Sequence, residues 1–237
     1  MPESTASKEP RWLETVRTLF LQSIRVDMSS PERLITPLFF AVVILLLFSF
    51  AIPELDTSIE SRVMVAQTQI AIFFALQLTF ARAFESERHD RIFEHLKLSP
   101  IPASAFIVGK MLHVLFIGAL TMLSTAFMST ILQGQDIGLM FDPIKLAVAS
   151  LSLLGLTGLG VLLAAITLKA DGQAILFPLL YFPLAVPVLL SSTEAIALWL
   201  ERPVWSETMR GWITILAAFD AIYLTMAILL APESDTN

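Results

Sequence analysis

LITPLFFAVVILLLFSFAIP, residues 34–53, decides the fold: it contains no Asp, Glu, Lys or Arg. A helix of about twenty apolar residues, rising 1.5 Å each, spans the roughly 30 Å hydrocarbon core of a bilayer. The block begins only after a long polar and amphipathic stretch. A secretory signal has a shorter apolar region close to its start, so cleavage is not expected. An integral membrane protein follows, rather than a soluble domain with a core.

Working outward, blocks of similar character recur at about 63–84, 104–132, 144–168, 174–199 and 211–231, which makes six predicted spans. The fold class expected is an all-α polytopic membrane protein. It comprises a tail and interfacial helix over 1–33, a transmembrane domain over 34–231 and a short tail over 232–237. The third and fifth spans are long enough to tilt. No internal repeat is visible, which disfavours an inverted-repeat transporter. The chain has no cysteine, so disulfides, thiolate metal sites and cysteine nucleophiles are excluded. Nothing in the pattern points to nucleic acid.

Lys and Arg fall unevenly. Lys8, Arg11, Arg17, Arg25, Arg33, Arg82, Arg88, Arg91, Lys97, Lys110 and Lys169 lie on one side of the predicted spans, against Arg62, Lys145, Arg202 and Arg210 on the other. The positive-inside rule then puts both termini in the cytoplasm. Acids gather on the outer side, at Glu54, Asp56, Glu60, Asp136, Asp142, Glu194, Glu201 and Glu207. Trp199, Trp205 and Trp212 flank the 200–210 loop, as an aromatic belt would. Ahead of the first span, residues 11–28 read as an amphipathic helix lying in the headgroup plane. Arg11, Thr15, Thr18, Gln22 and Arg25 form its polar face, and Leu13, Val16, Phe20 and Ile24 its apolar one. Pro31 and Pro37 bracket the turn into span one.

Between spans two and three stands the densest polar surface of the chain, RAFESERHDRIFEHLKLSPIPA, residues 82–103. Glu87 and Arg91 are spaced i,i+4 in the favourable order, and Glu94 and Lys97 i,i+3. Phe84, Ile92, Phe93, Leu96 and Leu98 supply apolar faces, while Pro100 and Pro102 stop the helix. The pattern predicts a short helix over 85–98 lying along the membrane and docking a partner. The plainer reading is a solvated connector.

This run, followed by Gly109-Lys110, resembles the cytoplasmic loop of the heme exporter protein B family, membrane subunits of the cytochrome c maturation transporter. The matching positions are Phe84, Glu87, Asp90, Glu94, Leu96, Leu98, Pro100, Pro102 and Lys110. Leu168-Lys169 through Gly172, then Tyr181 to Pro187, resemble the same family's turn and proline-bearing fifth span. Arg91 stands where the family usually has glycine, which alters the local turn but not the helix. The resemblance implies a cytoplasmic ATPase partner docked on a coupling helix through Glu87, Asp90, Arg91, Glu94, Leu96, Leu98 and Pro100. It also implies a heme-handling membrane subunit, a heme chaperone, a homodimer within the complex and a place in a bacterial inner membrane. Heme would be a transported or handled ligand rather than a resident cofactor. ATP would bind the partner, since the chain has no G-x-x-x-x-G-K-[ST].

Within the spans, Asp220 near the middle of the sixth costs a few kcal/mol unless it is protonated, partnered or turned toward other helices. Gln67, Gln69 and Gln77 are possible partners, or glue between helices. Pro178, Pro183 and Pro187 in span five are hinge candidates or static kinks. Gly155, Gly158 and Gly160 only superficially resemble a phosphate loop and read as close helix packing. His89, His95 and His113 read as loop or interfacial residues rather than heme ligands, and the nine methionines as core. No metal site, paired acids or nucleophile triad sits at one depth, so an enzyme is not expected. Two rivals stay open: an export permease for a lipid, drug or polysaccharide, and a non-transporting membrane scaffold.

Overall fold

The computed structural model describes residues 12–52, 57–83, 103–134, 137–167 and 173–229. Seven α-helices are described: α1 (Trp12–Ser29), α2 (Glu32–Ala51), α3 (Thr57–Ala83), α4 (Ala103–Leu132), α5 (Pro143–Thr167), α6 (Gln173–Glu201) and α7 (Glu207–Leu229). A 3-10 turn over Ile137–Phe141 joins α4 to α5, and no strand occurs among the described residues. Helices α2 to α7 are each long and apolar enough to cross a membrane. The all-α, six-span architecture expected from hydropathy is therefore present. The predicted ends agree to within two residues, except that α3 and α7 begin earlier, at Thr57 and Glu207. Pro37 lies inside α2 and is buried, so it does not bracket the turn as expected. A proline is tolerated there because neighbouring helices shelter the backbone group that it frees.

Local chemistry sets several ends. The Asp142 carboxylate accepts hydrogen bonds from the backbone N–H of Ile144 at 2.9 Å and of Lys145 at 3.0 Å, which caps the orphan donors opening α5. These bonds, that from Lys145 first, hold the Asp142 carboxyl below its ordinary value. Ser206 accepts in the same way from Met209 N–H at the start of α7. At the far end of α4, Gly134 turns the chain with φ of 64°, a left-handed conformation that glycine adopts without a Cβ clash.

Helix α5 is the centre of the bundle, packed against α4, α6 and α7, while α3 packs against α2, α4 and α6. The core rests on rings: Tyr181 of α6 is fully buried and stacks on Phe73 of α3 at 5.3 Å and on Phe177 at 5.4 Å. Phe80 of α3 meets Tyr181 edge-on, and its ring covers Gly160 of α5 so closely that a Cβ there would lie 2.6 Å away. The glycines of α5 thus serve close packing, as their place inside a span suggested. The remaining faces of α2, α6 and α7 expose long rows of Phe, Leu, Ile and Val, as a bilayer-facing surface requires.

Candidate functional site

The segment that sequence reading puts first, with Glu87, Asp90, Arg91, Glu94, Leu96, Leu98 and Pro100, lies outside the described residues, as do His89, His95 and Pro102. What is described is its anchorage: α3 leads into it and α4 leads out.

Helix α1 runs against the start of α4. Its predicted helicity is right and its predicted faces are partly wrong. Thr15, assigned to the polar face, is buried at 7% exposure, and Leu13, assigned to the apolar face, is 72% exposed. The reason is a protein neighbour that periodicity does not reveal. Val16 and Leu19 close on Gly109 of α4, where a Cβ would lie 3.1 Å from the Leu19 side chain. Phe20 meets Phe116 edge-on at 6.1 Å, and the Trp12 indole N–H donates to Ser104 Oγ at 3.2 Å.

At the end of α1 this seam carries charge. Asp27 is buried, and its Oδ2 accepts a hydrogen bond from His113 Nε2 of α4 at 2.7 Å. Its Oδ1 lies 3.4 Å from Arg33 of α2. Burial alone would raise the Asp27 carboxyl, but the hydrogen bond and charge of His113, followed by those of Arg33, outweigh it and hold the group below 3.8. His113 is 2% exposed, so it is a core residue rather than the interfacial one expected. Sequence reading missed Asp27 altogether. The available signal was an isolated acid on the inner stripe of an amphipathic helix, which demands a partner.

The second place is Asp220, the intramembrane acid. It is 4% exposed at the α5–α7 seam, and neither carboxylate oxygen has a hydrogen-bond partner among the described residues. Its Oδ1 occupies the notch left by Gly155 of α5, at a point 2.0 Å from where a Cβ would stand, with Val188 of α6 alongside. Two of the three glutamines proposed as its partners bond elsewhere: Gln69 donates to Ser192 of α6 at 2.7 Å, and Gln67 accepts from Gln133 at 3.3 Å. They tie helices together, as their alternative reading held.

Pro178, Pro183 and Pro187 all lie within one continuous helix, α6. Between the last two, the Tyr223 hydroxyl of α7 donates to the Leu184 carbonyl at 2.6 Å. At the opposite end of the bundle from α1, Arg62 of α3 grips Glu201 at 2.7 Å and Glu194 at 2.8 Å, both on α6. The rings of Trp199 and Trp205 lie 6.4 Å apart in the same region. No group of His, Asp and Glu suited to a metal ion occurs among the described residues.

Compared with known proteins, residues 14–234 match the family model described as CcmB protein. The chain belongs to the CcmB protein family. A curated relative, heme exporter protein B of Pseudomonas aeruginosa, is 29% identical over 211 residues, covering 88% of this chain and 90% of that protein. The matched region takes in α2 to α7 and all of α1 after Leu13, so α1 and its Asp27 clasp fall within the CcmB homology. The resemblance drawn from the 82–103 loop and the fifth span therefore holds for the chain as a whole. This CcmB chain is a multi-pass membrane protein.

Proposed function

We propose that this chain is the permease-like membrane subunit of an ATP-driven heme-export complex acting in cytochrome c biogenesis. The observation that carries the reading is the CcmB match along nearly the whole chain, together with a relative named as a heme exporter. The six spans suit a permease subunit, and the lack of a phosphate-binding loop fits a division of labour in which a separate partner hydrolyses ATP. Both termini and the 82–103 segment face the cytoplasm on the Lys/Arg asymmetry, with the membrane being a bacterial inner membrane. The ATPase docks through Glu87, Asp90, Arg91, Glu94, Leu96, Leu98 and Pro100 of a coupling helix at 85–98. Two copies of the chain pair with two ATPases, and a heme-handling subunit and heme chaperone receive the output at the outer face.

The packed seam between α1 and α4 gives a force applied to the loop an anchored element to act on, and spans two, three and five pass the shift onward. Pro178, Pro183 and Pro187 supply the place where α6 bends. Heme is handled as cargo, and the chain itself catalyses nothing.

Deletion of the gene tests the assignment. It should abolish covalent heme in c-type cytochromes while b-type cytochromes persist, and normal c-type assembly would refute it. Docking is tested by co-purification: Asp90→Ala with Glu94→Ala should lower ATPase recovery, whereas unchanged recovery and ATPase rate would leave the loop a connector.

A further inference from the structure

With α1 seated on α4, the apolar face expected of it is largely used. Val16 is buried there, and Leu19 and Phe20 pack on Gly109 and Phe116. A second stripe is left on the outside of the helix. Leu13, Arg17, Leu21, Arg25 and Met28 follow one another at intervals of four, four, four and three residues, and all are exposed. That spacing lines them up along one side of a helix. Apolar and cationic side chains therefore alternate down a face that the described bundle leaves open.

The stripe lies at the membrane boundary. Ser30 and Pro31 alone separate α1 from α2, which is a span, and the Trp12 indole reaches Ser104, where the span of α4 begins. In water, Leu13 and Met28 would stand 72% and 75% exposed with no apolar surface to cover them. Against a bilayer the same side chains enter the acyl boundary, and the arginine stems carry their guanidinium groups out to the phosphates. A guanidinium meets a phosphate with paired, charge-assisted hydrogen bonds. Arg33 is held by Asp27, whereas Arg17 and Arg25 have no acid partner among the described residues. Among the exposed residues of α1, Glu14 is the acid set against these two arginines, so the face keeps a net positive charge.

We infer that α1 binds anionic phospholipid along this stripe, with phosphates on Arg17 and Arg25 and acyl chains against Leu13, Leu21 and Met28. A polar acidic protein surface would answer the arginines but not the apolar residues set between them. The inference does not rest on the exporter reading. The proposed orientation only names the leaflet, the cytoplasmic one, whose surface is negative. Bound lipid then holds α1 from outside while the Asp27 clasp holds it from within.

The test uses the full chain in phosphatidylcholine vesicles, with Trp199, Trp205 and Trp212 replaced by phenylalanine so that Trp12 reports alone. A small fraction of lipid brominated near the headgroup is supplied as phosphatidylglycerol or as phosphatidylcholine. It is present in both leaflets, so the outcome is independent of orientation. Brominated phosphatidylglycerol should quench Trp12 at least about fivefold more effectively, the enrichment that one arginine brings near a charged surface. Arg17→Gln with Arg25→Gln should bring the two lipids within about twofold of each other, whereas Arg17→Lys with Arg25→Lys should retain the preference. Arg210→Gln, at the far end of the bundle in the first turn of α7, should leave it unchanged. Equal quenching by both lipids in the parent chain, an unchanged preference in the glutamine pair, or an equal loss from Arg210→Gln overturns the proposal. If the single-tryptophan chain fails to fold, native mass spectrometry of the chain with its own tryptophans makes the same comparison, counting each lipid retained.

Discussion

Two buried aspartates in this molecule meet opposite circumstances. Asp27, at the α1–α4 seam, has His113 on one oxygen and Arg33 near the other. Asp220, at the α5–α7 seam, has a glycine notch and no hydrogen-bond partner among the described residues. Both side chains give up water, but only at Asp27 does the protein return hydrogen bonds and charge. The pair at Asp27 holds an accessory helix onto the bundle. At Asp220 no side chain or backbone group among the described residues offers such compensation, so the surrounding packing must offset its burial.

The largest break in this contrast should come from Asp27→Ala. It strands a buried imidazole and releases α1, costing about 3 kcal/mol on the scale of a broken buried pair. Thermal unfolding in detergent would measure the loss, and fluorescence of Trp12, which bonds to Ser104, would show whether α1 detaches. A wild-type melting curve would mean that the seam does not depend on the pair.

Gly155→Ala should come next, at about 1–3 kcal/mol, because the new methyl group overlaps Asp220 Oδ1. Asp220→Ala alone should be close to neutral or stabilising, since it removes a buried unpaired carboxylate. Combined, the two should restore most of the stability lost in Gly155→Ala, a coupling of about 1 kcal/mol or more. Simple additivity would show that the notch is not what the carboxylate fills. A stable Asp220→Ala chain that no longer supports c-type cytochrome assembly would move Asp220 from structure to function.

The smallest effect is that of acid. The folded-state value of Asp27 lies below 3.8, so its contribution is present above about pH 4 and is lost as pH falls through that lower value. Trp12 emission in a chain with the other tryptophans replaced should therefore stay constant from neutral pH down to about 4 and shift only below it. An earlier transition, near pH 6, would assign the seam to a different group.

The six spans were legible because hydropathy is a local property: a run such as 34–53 has one low-energy solution in a bilayer whatever its neighbours are. Asp220 stood out for the same reason, as an isolated charge in an apolar run. The Asp27–His113 pair did not, because 86 positions separate its members and each alone fits an interfacial residue. Thr15 and Leu13 were assigned to the wrong faces because periodicity shows that a helix has two sides, not what lies against each.

The sequence by itself determined the membrane-spanning class, the helix ends to within a few residues in most cases and, through its loop and fifth-span motifs, the CcmB family. Only the tertiary structure decided which polar groups are satisfied. It brought Asp27 to His113, Gln69 to Ser192 and Arg62 to two glutamates, and it left Asp220 facing a glycine. The physical reason is range: burial in lipid is dictated by a residue's immediate neighbours in the chain, whereas hydrogen bonds and ion pairs need atoms within about 3 Å of each other, a condition that only the packed bundle sets.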